Sequence, residues 1–230
     1  MEPTEILALL DEQVRRPNQP DGLYVGDGWS AVLRPPADGN VAPLVARMRE
    51  IPGHVEWKYY SHDLPADLPV RLVAAGLEPD EEETVVVAEA AAIPPPPAGV
   101  ELREEPGVFS ELAETVFGPG QTGDFPQNAV AVVAYVDGRP VSGGRIDFDP
   151  GVEFAGLFGG VTLPEFRGRG LYRATVARRA ELARERGYRY LYVDALPTSR
   201  PILERAGFVA ITTTTPYVFP RGTAGSTSSR

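Results

Sequence analysis

The sequence predicts an α/β protein made of two halves, and three observations lead to this prediction. Helical and strand periodicities of apolar residues alternate along the chain. Four consecutive prolines, at positions 94–97, cannot continue a helix or a central strand, so they separate the two halves. In the second half, residues 157–172 run from an apolar strand through a glycine turn into an amphipathic helix.

Composition excludes several classes of protein. The chain has 230 residues, no Cys and only two His, so we expect no disulfides, no thiol catalysis and no metal site. Hydrophobic residues make up 43% of the chain, but no apolar run approaches the ~18 residues of a membrane span. The first residues are acidic where a secretory signal would be basic, so we expect a cytoplasmic protein with no membrane contact.

The negative charge is concentrated in the first half. Residues 1–98 contain 17 acidic and 7 basic side chains, whereas residues 99–230 contain 15 of each. An acidic half repels phosphate backbones, so no nucleic-acid partner is expected, and an amine-bearing substrate is favoured. The alternative interpretation is that these charges only keep the protein soluble.

The elements follow one another in two sets, with residues 91–98 as a proline-rich linker. The first set occupies the predicted domain 1–90, the second occupies the predicted domain 99–220, and the polar tail 221–230 is expected to be disordered. The predicted helices are 3–16, 40–51, 65–75, 107–117, 169–186 and 200–206, and the predicted strands are 28–34, 54–61, 83–90, 99–104, 129–136, 141–148, 154–163, 188–195 and 209–219.

Both halves contain the same helix-to-strand junction. Gly76 and Gly207 end a helix and are followed by apolar Leu77 and Phe208, at an offset of 131 residues. An internal repeat explains this match. A chance likeness between two ordinary helix–glycine–strand junctions is the alternative.

The glycine turn before helix 169–186 predicts a phosphate site. The first turn of a helix has backbone N–H groups without intrahelical partners, and Gly168 and Gly170 let a ligand approach them closely. The segment has neither the Gly-Lys-Ser/Thr of a P-loop nor the glycine pattern of a dinucleotide fold. We therefore expect it to bind a pyrophosphate.

Residues 99–219 resemble the Gcn5-related N-acetyltransferase (GNAT) family. Thr162-Leu163-Pro164 and the run from Arg167 to Tyr172 occupy the places of the family's first motif, and Tyr172 departs from it because a small residue is usual there. The resemblance implies a mixed, mostly antiparallel sheet flanked by helices, in two tandem GNAT-like halves of which the first is degenerate. It also implies that acetyl-CoA enters a gap between strands 154–163 and 188–195, with Gly159-Gly160 forming a bulge. The implied cofactor contacts are Gly160, Val161, Thr162, Arg167, Gly168, Arg169, Gly170, Leu171, Tyr172 and Arg173.

The family's usual proton donor is missing. Leu203 stands where the resemblance implies a Tyr, and Leu196 stands where an Asn is common. Tyr192 and Ser199 are candidate substitutes, although a core role for Tyr192 and helix capping by Ser199 are alternatives. Asp194 is the favoured candidate base, with a turn-capping role as its alternative, and three further carboxylates remain open as bases: Asp147, Asp149 and Glu153.

The resemblance implies an acyl-CoA-dependent N-acyltransferase that transfers acetyl to a small-molecule or peptide amine by direct attack. Trp57 and Tyr59 are candidate substrate-binding residues in the first half, with core aromatics as the alternative. A protein that senses CoA or an amine without turnover is the second hypothesis, because Leu196 and Leu203 are apolar. A homodimer is compatible with the sequence.

Overall fold

The computed structural model describes residues 2–26, 29–118 and 125–220. The chain divides into two compact units, and neither is continuous in sequence: unit 1 contains residues 1–16 and 83–213, and unit 2 contains residues 17–82 and 214–230. This division differs from the predicted boundary at residues 91–98, because residues 1–16 and 83–90 group with the second half. The predicted disordered tail, 221–230, lies outside the described residues.

Unit 1 contains most of the regular structure. None of the described helices is long and apolar enough to cross a membrane. The helices are α1 (Pro3–Gln13), α4 (Pro106–Phe117), α5 (Leu171–Glu185) and α6 (Arg200–Arg205), with short 3-10 turns at Ala90–Ala92 and Pro164–Phe166. The strands are β5 (Glu83–Glu89), β6 (Glu101–Glu104), β7 (Ala129–Val136), β8 (Arg139–Asp147), β9 (Phe154–Thr162), β10 (Tyr190–Ala195) and the first half of β11 (Val209–Val218).

The sheet of unit 1 is mixed and mostly antiparallel, which confirms the predicted fold class. Its strand order is β11-β5-β10-β9-β8-β7-β6. The pairs β5–β10, β8–β9, β7–β8 and β6–β7 are antiparallel, whereas β9 and β10 are parallel. The predicted hairpin joins β7 to β8 through Asp137 and Gly138, whose φ angles of 50° and 75° fit a tight turn of the kind that matches strand twist.

Helices cover both faces of this sheet. On one face, Ile146, Leu157 and Leu191 pack in a single core cluster with Val176 and Ala180 of α5. On the other face, Phe109 and Leu112 of α4 pack with Ala131 and Val133 of β7. Because side chains alternate along a strand, the residues next to the first set in sequence face away from α5.

Unit 2 has its own small core. Its elements are α2 (Ala42–Met48), α3 (Leu68–Ala74), β1 (Leu23–Val25), β2 (Trp29–Val32), β3 (His54–Tyr60) and β4 (Glu78–Pro79), with the second half of β11. β2 lies between β1 and β3, and β11 pairs with β3 and β4 through residues 214–218. The strands β1 and β4 were not predicted, because three and two residues are too short to show a periodicity.

Candidate functional site

The parallel strands β9 and β10 separate after a short contact. Three pairs join them, from Tyr190 opposite Phe154 to Tyr192 opposite Gly156, and no further pair between them occurs in the part of the chain that the structure describes. Over the same region the outer edge of β10 stays paired with β5 through Ala195, and β9 stays paired with β8. The two inner edges beyond Gly156 and Tyr192 therefore border a gap, and an extended ligand can use them as a strand would.

A bulge lies on the β9 side of this gap. Gly143 of β8 faces Val161, and Arg145 faces Phe158, so two steps along β8 correspond to three along β9. Gly159 within this interval has a φ of 61°, which a residue with a side chain rarely adopts. The expected bulge at Gly159-Gly160 is confirmed, and it turns β9 at the point where the gap opens.

The first turn of α5 is open to a ligand. Gly170 is the N-cap residue, in a left-handed conformation, and Gly168 also has a positive φ. A methyl group added to either glycine would meet no atom within 4 Å. The first intrahelical bond is donated by the Ala174 N–H to the Gly170 carbonyl at 3.0 Å, so the three preceding N–H groups have no helical acceptor. The geometry suits an anion such as a pyrophosphate.

The predicted contacts on β9 and its loop differ in their surroundings. Val161 is buried, and its carbonyl accepts a hydrogen bond from the Ser142 hydroxyl at 2.8 Å. Arg167 donates from Nε to the Thr162 carbonyl at 3.3 Å, which ties the loop back to its own strand. Arg169 lies over the Phe166 ring, with 5.3 Å between the guanidinium carbon and the ring centroid. The assignment of these residues to cofactor binding stays a prediction.

Tyr172, the departure from the family motif, is turned toward the sheet. A Cβ on Gly160 would lie 2.6 Å from Tyr172 Cε2, so the ring fills the space that this glycine leaves. Arg179 lies beside it, buried, with the guanidinium against Gly144 of β8 and with Nη1 donating to the Arg145 carbonyl at 3.0 Å. Burial raises the pKa of Tyr172, and the neighbouring Arg179 cation opposes that rise.

A second group of side chains lies on the sheet face opposite α5, where the gap begins. We call Arg145, Asp147, Phe158 and Tyr192 the apex cluster. Asp147 faces Gly156 across β8 and β9, and Arg145 faces Phe158 in the next row. The rings of Phe158 and Tyr192 lie over Gly156, where a Cβ would approach them to 2.5 and 2.9 Å, and they meet edge to face with centroids 6.0 Å apart.

Asp147 and Arg145 form a half-buried ion pair within this cluster. Their Oδ1 and Nε atoms are 2.7 Å apart, with the side chains 17% and 20% exposed. The two atoms are not aligned as a hydrogen bond, and both are buried. Burial raises the pKa of Asp147 to about 6, against the opposing effect of the Arg145 charge.

The three predicted catalytic residues lie along one strand and the helix that follows it. Tyr192 belongs to the apex cluster, and Asp194 lies two residues further along β10, beside the gap. Ser199 is the N-cap residue of α6, and its hydroxyl donates to the Leu196 carbonyl at 3.2 Å, which fits its alternative role in the helix start. Their catalytic roles stay predictions.

The other candidate carboxylates lie outside the apex cluster. Asp149 is exposed in the turn after β8 and accepts from Asn128 Nδ2 at 3.0 Å. Glu153 accepts from Gln13 Nε2 at 3.3 Å, which links the start of β9 to α1. Among the four candidate bases, Asp147 is the carboxylate that the structure places in the cluster.

Trp57 and Leu203 are core residues. Trp57 is 0% exposed within the core of unit 2, which corrects its assignment to a substrate-binding surface. Tyr59 is half-buried and meets Tyr217 edge to face at 6.3 Å, so its assignment stays a prediction. Leu203 is also 0% exposed, in the cluster under α5, so the position of the missing Tyr is filled by packed apolar atoms.

Sequence reasoning missed Arg145, Gly156 and Phe158. Arg145 and Asp147 alternate on one strand, which is a visible pattern, but the pairing of Arg145 with Phe158 depends on register.

Comparison with known proteins agrees with this geometry. Residues 100–208 match the family model of the acetyltransferase (GNAT) family, so this segment is a GNAT domain. No curated protein sequence matches the chain.

Similar solved structures show the same fold. A GCN5-related N-acetyltransferase from Kribbella flavida has a TM-score of 0.62 at 19% identity, covering 96% of this chain and 95% of that one. A protein assigned to the GNAT acetyltransferases, from Novosphingobium aromaticivorans, has a TM-score of 0.59 at 18% identity, with 96% and 100% covered. A tandem GNAT protein of the clavulanic acid pathway has a TM-score of 0.54 at 15% identity, with 84% and 75% covered.

Proposed function

We propose that the protein is an acyl-CoA-dependent N-acyltransferase that transfers acetyl from acetyl-CoA to a primary amine. The observation that carries the proposal is the separation of β9 from β10 after Gly156 and Tyr192, inside a segment that matches the GNAT family. An open gap next to an anion-binding helix start suits a ligand with an extended amide chain at one end and a pyrophosphate at the other.

Each part of the cofactor has a matching group in unit 1. The pyrophosphate would bind the N–H groups at Leu171, Tyr172 and Arg173, which the two glycines leave accessible. The pantetheine amides would pair with the free edge of β9 near Gly160 and Thr162. A backbone N–H at the bulge would donate to the oxyanion that forms when the amine attacks the thioester.

The leaving thiolate does not require a positioned acid. A thiol has a pKa of roughly 8–9, so water can protonate the sulfur after the carbon–sulfur bond breaks. Burial of Leu203 is therefore compatible with catalysis, and a missing donor would reduce the rate by about 10²-fold or somewhat more.

A thioester-consumption assay tests the proposal. Acetyl-CoA and longer acyl-CoAs are incubated with a broad panel of primary amines, and both CoA release and amide formation are measured. Amide formation on at least one amine is expected. CoA binding measured by calorimetry, without turnover on any amine, would replace the transferase with a sensor of CoA.

A further inference from the structure

The apex cluster is placed where an acceptor would meet the thioester. Asp147, Gly156 and Tyr192 form one row across β8, β9 and β10, and this row holds the last pair before the gap. Side chains of the row point away from α5, on the face opposite the core that α5 covers. A molecule approaching the gap from this face reaches the apex cluster first.

Glycine at position 156 leaves the row without a side chain on its middle strand. The rings of Phe158 and Tyr192 occupy the space above it, and Arg145 extends over the Phe158 ring at 5.3 Å. These groups make an apolar, aromatic wall with a single carboxylate at its edge. Such a wall suits a primary ammonium group attached to an apolar carbon.

We propose that Asp147 binds the acceptor amine and receives its proton, and that Arg145 positions Asp147. The inference rests on the proposed function and names the residue that function leaves open. The amine nitrogen attacks the thioester carbon and becomes positively charged as the nitrogen–carbon bond forms. Asp147 takes one proton from that nitrogen, the carbon–sulfur bond breaks with its electron pair on sulfur, and water protonates the thiolate.

The surroundings of Asp147 determine when it can accept a proton. Arg145 lies on the same strand, Asp149 in the following turn, and Tyr192 is the titratable residue of the same row on β10; the partners on β7 and β9 are Ala129 and Gly156. Burial and the Asp149 charge raise the pKa of Asp147, and Arg145 lowers it. Asp147 must be ionised to act, so activity falls as the pH drops below about 6.

The kinetic test uses the full chain with acetyl-CoA and 2-phenylethylamine as the probe. Asp147→Asn is expected to lower kcat/KM by about 10²-fold and to remove the acid limb of its pH profile. Asp149→Asn is the matched control: it makes the same chemical change two residues away on an exposed side chain, and the acid limb should remain, displaced toward lower pH. Wild-type kcat/KM in a folded Asp147→Asn variant overturns the proposal.

Arg145 is tested as a positioning residue. Arg145→Gln removes the cation that lowers the Asp147 pKa, so the acid limb should move to higher pH, and Arg145→Lys should restore it. A limb that stays in place in a folded Arg145→Gln variant contradicts the role assigned to Arg145.

A binding measurement separates this inference from the proposed function. The Asp147 carboxyl carbon is titrated by NMR in wild type, with Asp147→Asn for assignment, in the presence and absence of 2-phenylethylamine. A bound ammonium group should shift the Asp147 pKa downward. A shift without any acetyl transfer would remove the transferase and retain the amine site, whereas turnover without a shift would overturn the amine site and retain the transferase.

Discussion

Gly156 on β9 lies opposite Tyr192 on β10, and within the described residues this is the last pair that joins the two strands. The Tyr192 ring leans over Gly156, with Cζ 2.9 Å from the place where a Cβ would be. The opening of the sheet and the aromatic wall beside it therefore share one residue without a side chain.

The start of α5 should determine CoA affinity. Gly170→Glu adds bulk and negative charge at the N-terminal turn, so CoA affinity, measured by calorimetry, should fall by at least tenfold. Gly187→Glu is the control, because Gly187 at the other end of the helix also has a positive φ, of 81°, and open space around it. If both folded variants bind CoA as wild type does, the cofactor assignment is wrong.

Gly156→Ala should disturb the apex cluster directly. The added methyl group would lie 2.5 Å from the Phe158 ring, so both rings must move, and the unfolding free energy should fall by about 1–3 kcal/mol. Gly107→Ala, in the first turn of α4 with no neighbour within 4 Å, should leave stability unchanged or raised. Urea unfolding of the two variants measures the difference, and equal stabilities would show that the rings do not fill this space.

Leu203→Tyr should fail to restore the family's proton donor. Leu203 is fully buried, so the larger ring should cost about 1–3 kcal/mol of stability and should not raise kcat. Leu196→Tyr, at a position that is 38% exposed, should change stability little. An increase in kcat for Leu203→Tyr would show that this core opens toward the thioester.

The buried charge of Asp147 should make stability depend on pH. Its pKa is about 6 in the folded chain and ~3.9 in an unfolded one, so the folded state binds more protons between these values. The free energy of unfolding should therefore decrease as pH rises from 4 to 6, by up to about 3 kcal/mol from this group. Urea titrations from pH 4 to 7 should show Asp147→Asn gaining on wild type over that window. A constant difference between the two would contradict the buried ionised carboxylate.

The GNAT half should need strand β5. A fragment of residues 99–220 leaves one edge of β10 unpaired along Tyr190–Ala195, whereas a fragment of residues 83–220 keeps β5 on that edge. The shorter fragment should aggregate or give poorly dispersed amide NMR spectra, and the longer one should be better protected from hydrogen exchange. Equal behaviour of the two fragments would return the boundary to the proline-rich segment.

Local sequence patterns were sufficient for the parts of the site that are local. The helix start at Gly170 and the bulge at Gly159-Gly160 depend on neighbouring residues, and both were predicted correctly. The pairing of β5 with β10 and the row from Asp147 to Tyr192 depend on register between distant strands, which periodicity does not specify. Trp57 was assigned to a surface because its alternating strand does not reveal which face is covered.

The pairing of β5 with β10 also sets an order of events during synthesis. About 100 residues separate Glu89 from its partner Tyr190, so β5 leaves the ribosome long before β10 exists. At roughly 5–20 residues per second, this strand, with Val85, Val86 and Val87 at its centre, waits on the order of 5–20 s for that partner. Slow codons or a chaperone acting between these two strands would therefore affect the yield of folded protein more than the same event after residue 195.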